Sequence, residues 1–385
     1  MRKIYGLQVV VLILCGTLLS LECAYARTEH YLTKSEAVVI RDSLVGEWKT
    51  MMSVGLESDF EECIIRHNGL EMPYSYTVYG SEPVGGHSLW ISLHGGGNAP
   101  KELNDSQWEN QKRLYRPEEG IYLCPRAPWN DWDMWFKEPI DSMFVQLINT
   151  MVVLNGVNPD RIYLLGYSAG GDGLWRLAPR MADRLAAASM MAGHPGDVSL
   201  LNLRNLPFLM WVGENDSAYN RNVEVVRRGR ELDSLQTVDP DGYVHTCHVI
   251  SGKGHWMDLE DAAALPWMAE YTRNPFPHRI VWQQEEVLKP TFYWLAVPDE
   301  ELSRGKQVVL DVHRNIIDVD RCDYSSLTFY LNDEIVNLDR PVRVRCHGKT
   351  VWKGKLNRTV DIMRRTLAER NDPGLMAACM LTVRF

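Results

Sequence analysis

The stretch GYSAGG, residues 166 to 171, puts Ser168 between Gly166 and Gly170. The apolar residues before it, Arg161 to Leu165, read as a buried strand, and the small residues after it run into helical spacing. A nucleophile at a sharp strand-to-helix turn needs neighbours without bulk, because its own backbone is strained and its Oγ must stand clear of the sheet. The helix that follows aims its N-terminus at the same point, which favours developing negative charge.

A serine hydroxyl is a weak nucleophile until a base takes its proton, and the usual base is a histidine oriented by a carboxylate. Downstream, Asp216 stands just beyond the apolar run Phe208 to Val212, and His255 ends the glycine-rich loop that starts at Ser251. Both lie where loops leave the ends of strands, as Ser168 does, and the order Ser, Asp, His is that of one class of triads. Glu214 follows the same strand as Asp216 and is the alternative acid. His194 stands near another strand end and is a candidate lining residue. His245 and His248 fall inside a strand and read as structural.

Negative charge on a transition state needs donors. His94 is followed by Gly95, Gly96 and Gly97 after an apolar run. Glycines there let backbone N–H groups approach an oxyanion. Gly96, with Gly95, and the N–H of Ala169 after the serine are the expected oxyanion hole. A phosphate-binding loop is not supported, because no lysine and Ser/Thr follow in register. Trp129, Trp132, Trp135 and Phe136 crowd one loop after another strand. Indoles line apolar clefts and stack on rings, so Trp132 or Trp135 is expected at the substrate, the alternative being inward packing on the core.

These residues need a scaffold of alternating strands and helices. Strand-like runs fall at Met72 to Tyr79, Ser88 to Leu93, Gly120 to Cys124, Leu185 to Met191 and Tyr243 to Ile250. Helical spacing covers about Ile140 to Asn155, Asn222 to Leu235 and Asp258 to Tyr271. Alternation of this kind predicts an α/β fold, a mostly parallel sheet flanked by helices. Residues 27 to 70 read mostly helical, with Thr33 and Glu36 as a capping box. After the breaker cluster Asn274 to Pro277 the pattern changes to short strands with one helix, Val360 to Glu369, a small β-rich module of residues 275 to 385. The catalytic domain is placed at 71–274.

The chain has 385 residues, 45% of them hydrophobic, which suffices for a large core. The net charge is −9; Arg2, Lys3 and Glu22 give the first 26 residues +1, so the rest carries −10. No basic stripe offers nucleic acid a surface. Residues 1 to 26 read as a signal peptide: Arg2 and Lys3, an apolar run too short to span a bilayer, then Ala24-Tyr25-Ala26 for cleavage. Export to the periplasm or outside the cell is expected, without stable membrane insertion. Cysteines follow apolar residues at Cys15 and Cys23, but Leu14 and Glu22 suit lipidation poorly. Six cysteines remain, Cys63, Cys124, Cys247, Cys322, Cys346 and Cys379, with about 15 possible pairings if oxidised; buried free thiols are the alternative. Their spacing does not make a zinc site.

From about residue 70 to 272 the sequence resembles the α/β-hydrolases, nearest the group of carboxylesterases, dienelactone hydrolases and polyhydroxybutyrate-depolymerase-like proteins. His94 to Gly97, Gly166 to Gly170, Asp216 and His255 carry the resemblance. It implies a serine hydrolase with Ser168, Asp216 and His255 as triad, no cofactor or metal, and a small-molecule or glycan-linked ester as substrate. A peptidase of the prolyl-oligopeptidase type is an alternative, though the chain has no room for that family's propeller. A non-catalytic carbohydrate- or surface-binding protein on the same scaffold is another. The first 70 residues and the C-terminal module fall outside the resemblance, and neither oligomeric state nor acyl and alcohol specificity follows from it.

Overall fold

The computed structural model describes residues 31–385; the expected signal peptide lies outside the described residues. The N-terminal segment forms helix α1 (Lys34–Glu61). Its start is the expected capping box: the Thr33 hydroxyl accepts from the Glu36 amide, and the Glu36 carboxylate accepts from the Thr33 amide at 2.8 Å.

Then follow β1 (Ile64–His67), β2 (Leu70–Tyr79), β3 (His87–Leu93), α2 (Lys101–Gln111), β4 (Gly120–Pro125), α3 (Glu138–Leu154), β5 (Val157–Tyr167), α4 (Ala169–Arg180), β6 (Ala187–Met191), β7 (Phe208–Gly213), α5 (Arg221–Val238), β8 (His245–Ile250) and α6 (Ala264–Ala269). The eight strands make one sheet in the order β1-β2-β4-β3-β5-β6-β7-β8. The β1–β2 and β2–β4 pairs are antiparallel, and the pairs from β4 to β8 are parallel. Both faces are covered, as a parallel sheet requires. Ile162 and Leu164 of β5 join the core that holds α3 and α4, while Tyr163 and Leu165 join the core that holds α6.

Two departures from the sequence expectations fall in the first third of the chain. The helical stretch assigned up to residue 70 ends at Glu61, and β1 folds back on β2 through Asn68 and Gly69, both at positive φ; two-residue hairpins favour that pair. Helix α2 was not expected at all. Its buried residues are Asn104 and Gln111, so it carries no apolar stripe for periodicity to detect.

The C-terminal part contains β9 (Arg279–Gln283), β10 (Thr291–Phe292), β11 (Leu295–Ala296), β12 (Gln307–His313), β13 (Ile316–Cys322), β14 (Ser326–Leu331), β15 (Val342–Cys346), β16 (Lys349–Gly354), α7 (Val360–Arg370) and β17 (Cys379–Arg384). They form a five-stranded sheet, β16-β15-β13-β12-β9, and a four-stranded one, β10-β11-β14-β17. This β-rich region has its own sheets but not its own core. Trp282, Tyr293 and Leu310 belong to the same apolar cluster as Leu174, Leu203 and Phe208. The Tyr293 hydroxyl donates to the Ala182 carbonyl (2.9 Å), and Asn202 exchanges two hydrogen bonds with the Gln283 backbone. The buried Arg273 guanidinium, just before the module, donates to both oxygens of Asp372 near its end. The six cysteines are free thiols.

Candidate active site

Ser168 caps the corner between β5 and α4 at φ 58°, ψ −120°. A non-glycine residue there is strained, at a cost on the order of 1–3 kcal/mol, and such strain needs surroundings that fix it. They are visible: the Ser168 amide donates to the Met191 carbonyl (2.9 Å), and the two flanking glycines let backbone pass backbone. A Cβ on Gly166 would lie 2.4 Å from the Gly170 carbonyl oxygen, and one on Gly170 would lie 2.3 Å from the Leu93 oxygen. The glycines are therefore demanded by packing as well as by the turn.

Asp216 follows β7 and His255 follows β8, adjacent strands, so both loops meet above β5. Asp216 is 2% exposed. Its Oδ2 lies 2.8 Å from His255 Nδ1, and His255 Nε2 lies 2.9 Å from Ser168 Oγ. A carboxylate accepts, so Nδ1 carries the proton and Nε2 is left to accept from the serine hydroxyl. The other Asp216 oxygen pairs with Arg221 (3.3 Å), a buried arginine the sequence gave no reason to select. Glu214 does not approach His255. It accepts from the Ser251 hydroxyl (2.9 Å) and the Gly252 amide (2.8 Å), so it fixes the loop that carries the histidine. His248 stacks on Trp211, and His245 faces Asp233 and the Tyr243 carbonyl, away from the serine.

The loop after β3 is held from below by His94. Its Nε2 accepts from the Ala127 amide (3.2 Å), which leaves Nδ1 to donate to the Gly95 carbonyl (2.6 Å). Complete burial, with Arg126 nearby, pushes the imidazole down to about 3, so it is neutral. A trans peptide points its N–H opposite its C=O; with the Gly95 carbonyl turned toward His94, the Gly96 amide faces the other way. Gly96 sits at φ 105°, and a Cβ there would lie 2.4 Å from Asn104 Oδ1. That same oxygen accepts from the Gly97 amide (2.8 Å). Among the described residues, the amides of Gly95, Gly96 and Ala169 donate to no protein acceptor, whereas Gly97 is spent on Asn104. Gly95 packs face to face with the serine, where a Cβ would come 3.2 Å from Ser168 Cβ.

The tryptophan-rich loop divides. Trp132 is 61% exposed and borders a cavity of about 430 Å³ that opens on Ser168. Trp135 is fully buried, which corrects the expectation that it lines the substrate site. Its indole N–H donates to the His94 carbonyl (2.9 Å), its ring meets Phe144 edge-on, and its Cβ fills the space over Gly173. The inward turn is set by Gly173, far along the chain, so no local pattern marks it. His194 borders the same cavity, with Phe136, Asp172, Arg176, Tyr219 and Arg221, which the sequence did not single out. A second cavity of about 690 Å³ is bordered by Gly96, Gln107, Tyr167, Ser168, His255 and Trp256. Tyr167, the variable position of the serine motif, was also missed; its hydroxyl donates to the His255 carbonyl at 2.6 Å.

No protein-family model matches the chain, and no curated protein is similar to it. Among solved structures it is similar to a thermostable esterase, at 19% identity and TM-score 0.41 over 55% of this chain. The match covers 62% of that esterase's length. It is similar to a ferulic acid esterase, at 16% identity and TM-score 0.38, over 54% of this chain and 96% of that one. It is also similar to Est1E from Butyrivibrio proteoclasticus, at 14% identity and TM-score 0.35, over 54% of this chain and 97% of that one. The chain's own strand order carries the assignment: with Ser168 after β5, Asp216 after β7 and His255 after β8 of a sheet ordered β1-β2-β4-β3-β5-β6-β7-β8, it has the α/β-hydrolase fold.

Proposed function

We propose that this chain is an exported serine hydrolase that cleaves carboxylic esters through an acyl-enzyme. The observation that carries the proposal is the hydrogen-bond chain from Asp216 through His255 to the strained Ser168. Ser168 Oγ attacks the ester carbonyl carbon while His255 Nε2 takes its proton. The carbonyl oxygen becomes an oxyanion facing the amides of Gly96 and Ala169, with Gly95 beside them, at the N-terminus of α4. The tetrahedral intermediate collapses by breaking the bond to the alcohol oxygen, which leaves with the proton from His255. A water, deprotonated by the same nitrogen, then attacks the acyl carbon, and Ser168 regains its proton as the acid departs. Asp216 holds the Nδ1–H tautomer and faces the imidazolium formed in each half-reaction.

The test is ester turnover by the mature chain with a serine-directed fluorophosphonate as label. Ser168→Ala is expected to lose labelling and about 10⁴- to 10⁶-fold in kcat, with an unchanged circular dichroism spectrum. Asp216→Asn is expected to lose about 10⁴-fold by disturbing the tautomer, and Glu214→Gln far less. Near-normal turnover by Ser168→Ala would sink the proposal, and a larger loss in Glu214→Gln would reassign the acid. Hydrolysis of peptide substrates in place of esters would turn the reading toward a peptidase.

A further inference from the structure

The two cavities that meet at Ser168 differ in which part of the proposed machinery they contain. The larger is bordered by His255, the smaller by Ala169 but not by His255. An alcohol leaving group must take its proton from His255 Nε2, so its oxygen departs on the His255 side. The acyl group, the fourth substituent of the tetrahedral carbon, is then left the cavity bordered by Trp132. Resting on the ester-hydrolase reading above, we infer that the Trp132 cavity is the acyl site, and that Asp172 makes it select acyl groups bearing a hydroxyl.

The chemistry of the walls decides this against the other two classes. Trp132 and Phe136, edge to face at 5.2 Å, form an aromatic wall. Asn98, Asp172, Arg176, His194 and Arg221 bring polar groups to the rest of the border, which a plain alkyl chain would leave without a partner. An anionic acyl group fits no better. Arg221 is already opposed by Asp216 (3.3 Å), and Arg176 by Glu286 (3.0 Å) and Asp197 (3.3 Å). Both guanidinium groups are thus matched by carboxylates, and Asp172 adds an acid of its own. Among the described residues, the Asp172 side chain receives one hydrogen bond, at Oδ1 from the His194 amide (2.6 Å). The half-buried carboxyl borders the cavity, where it can accept from an incoming hydroxyl, and burial pushes it up. About 430 Å³ accommodates one ring with a short substituent.

Two matched pairs of esters test the assignment. The first pair changes the acyl side: p-nitrophenyl 4-(hydroxymethyl)benzoate against p-nitrophenyl 4-ethylbenzoate, equal in shape and different in one hydroxyl. The second moves the same difference to the alcohol side: 4-(hydroxymethyl)phenyl acetate against 4-ethylphenyl acetate. The wild-type enzyme is expected to favour the hydroxylated acyl ester by about 10- to 100-fold in kcat/KM, the range of a hydrogen bond to a charged group, and to show no such preference in the second pair. Asp172→Asn keeps an oxygen for the His194 amide and is expected to lower the first ratio about tenfold, whereas Gln107→Ala, in the other cavity, leaves that ratio in place. A preference confined to the alcohol pair, or a first ratio near one in the wild type, overturns the inference whether or not the Asn variant folds. Absence of both turnover and fluorophosphonate labelling would overturn the ester-hydrolase reading itself; labelled, active enzyme without acyl preference overturns this inference alone.

Discussion

The Tyr167 hydroxyl reaches the backbone carbonyl of His255 at 2.6 Å, so the residue beside the serine in sequence holds the loop that brings the histidine to it. The same oxygen accepts from the Met257 amide (3.3 Å), and the ring stands edge-on to His255 and against Trp256. Serine and histidine come from loops nearly ninety residues apart, and this contact ties them together directly.

Tyr167→Phe keeps the ring and removes both bonds. A net loss of about 1 kcal/mol per bond is typical, spread here over loop position and stability. The variant is expected to show kcat reduced about tenfold with KM changed little, because the histidine is displaced while the cavity walls stay. Steady-state kinetics with a melting curve would check it. Loss in KM alone, or a collapse of the melting transition with normal kcat, would mean the tyrosine is a wall or a core residue and does not position His255.

The extent to which the site was legible follows from how local each constraint is. Gly166, Ser168 and Gly170 form one turn, so their spacing alone exposed it. Asp216 and His255 were legible because each closes a recognisable strand, and strand ends gather at one edge of a parallel sheet. Arg221, Asp172 and Arg176 were not, because helix-borne polar residues look alike until the turn of the helix is fixed. Helix α2 was missed for a related reason, since its buried face is made of Asn104 and Gln111. The β-rich character of the C-terminal region was legible as a change of pattern, while the core it shares with the rest of the fold was not.

The tryptophan loop gives a stability contrast. Trp135→Ala removes a fully buried indole and its bond to His94, and is expected to cost about 3–5 kcal/mol. Trp132→Ala removes a largely exposed ring and is expected to cost under about 1 kcal/mol, with its effect instead in KM for aryl acyl esters. Denaturant unfolding of both variants checks this. Equal destabilisation would show that the loop packs as one unit and that Trp132 is no wall of the cavity.

His94 predicts a pH dependence of stability. An unfolded imidazole takes up a proton near about pH 6.5, while the folded one waits until about 3. Between those values the unfolded chain holds the extra proton, so stability falls as pH falls, by up to about 1.4 kcal/mol per pH unit. His94→Gln lowers stability at neutral pH by disturbing the bonds to Gly95 and Ala127. It should also make the decline from pH 6.5 to 4.5 shallower than in the wild type. Parallel declines in the two proteins, read from urea midpoints, would show that His94 is not buried neutral and that carboxylates alone set the acid limit.

Truncation after Asn274 puts the C-terminal region to the test. Its sheets are separate, but its contacts with the hydrolase body are buried. The cut removes Asp372 from Arg273 and Arg184, and Arg370 from Asp183. Breaking a buried pair typically costs about 3–5 kcal/mol, and domains hold only about 5–15 kcal/mol in all. It also strips Trp282, Phe292 and Tyr293 from the cluster that includes Leu203 and Phe208. The fragment ending at Asn274 is therefore expected to be insoluble, or to lack a cooperative melt, although every residue of the proposed triad is present in it. A soluble fragment with a sharp melting transition and wild-type ester turnover would show that the module is an independent domain and that the shared core carries little of the stability.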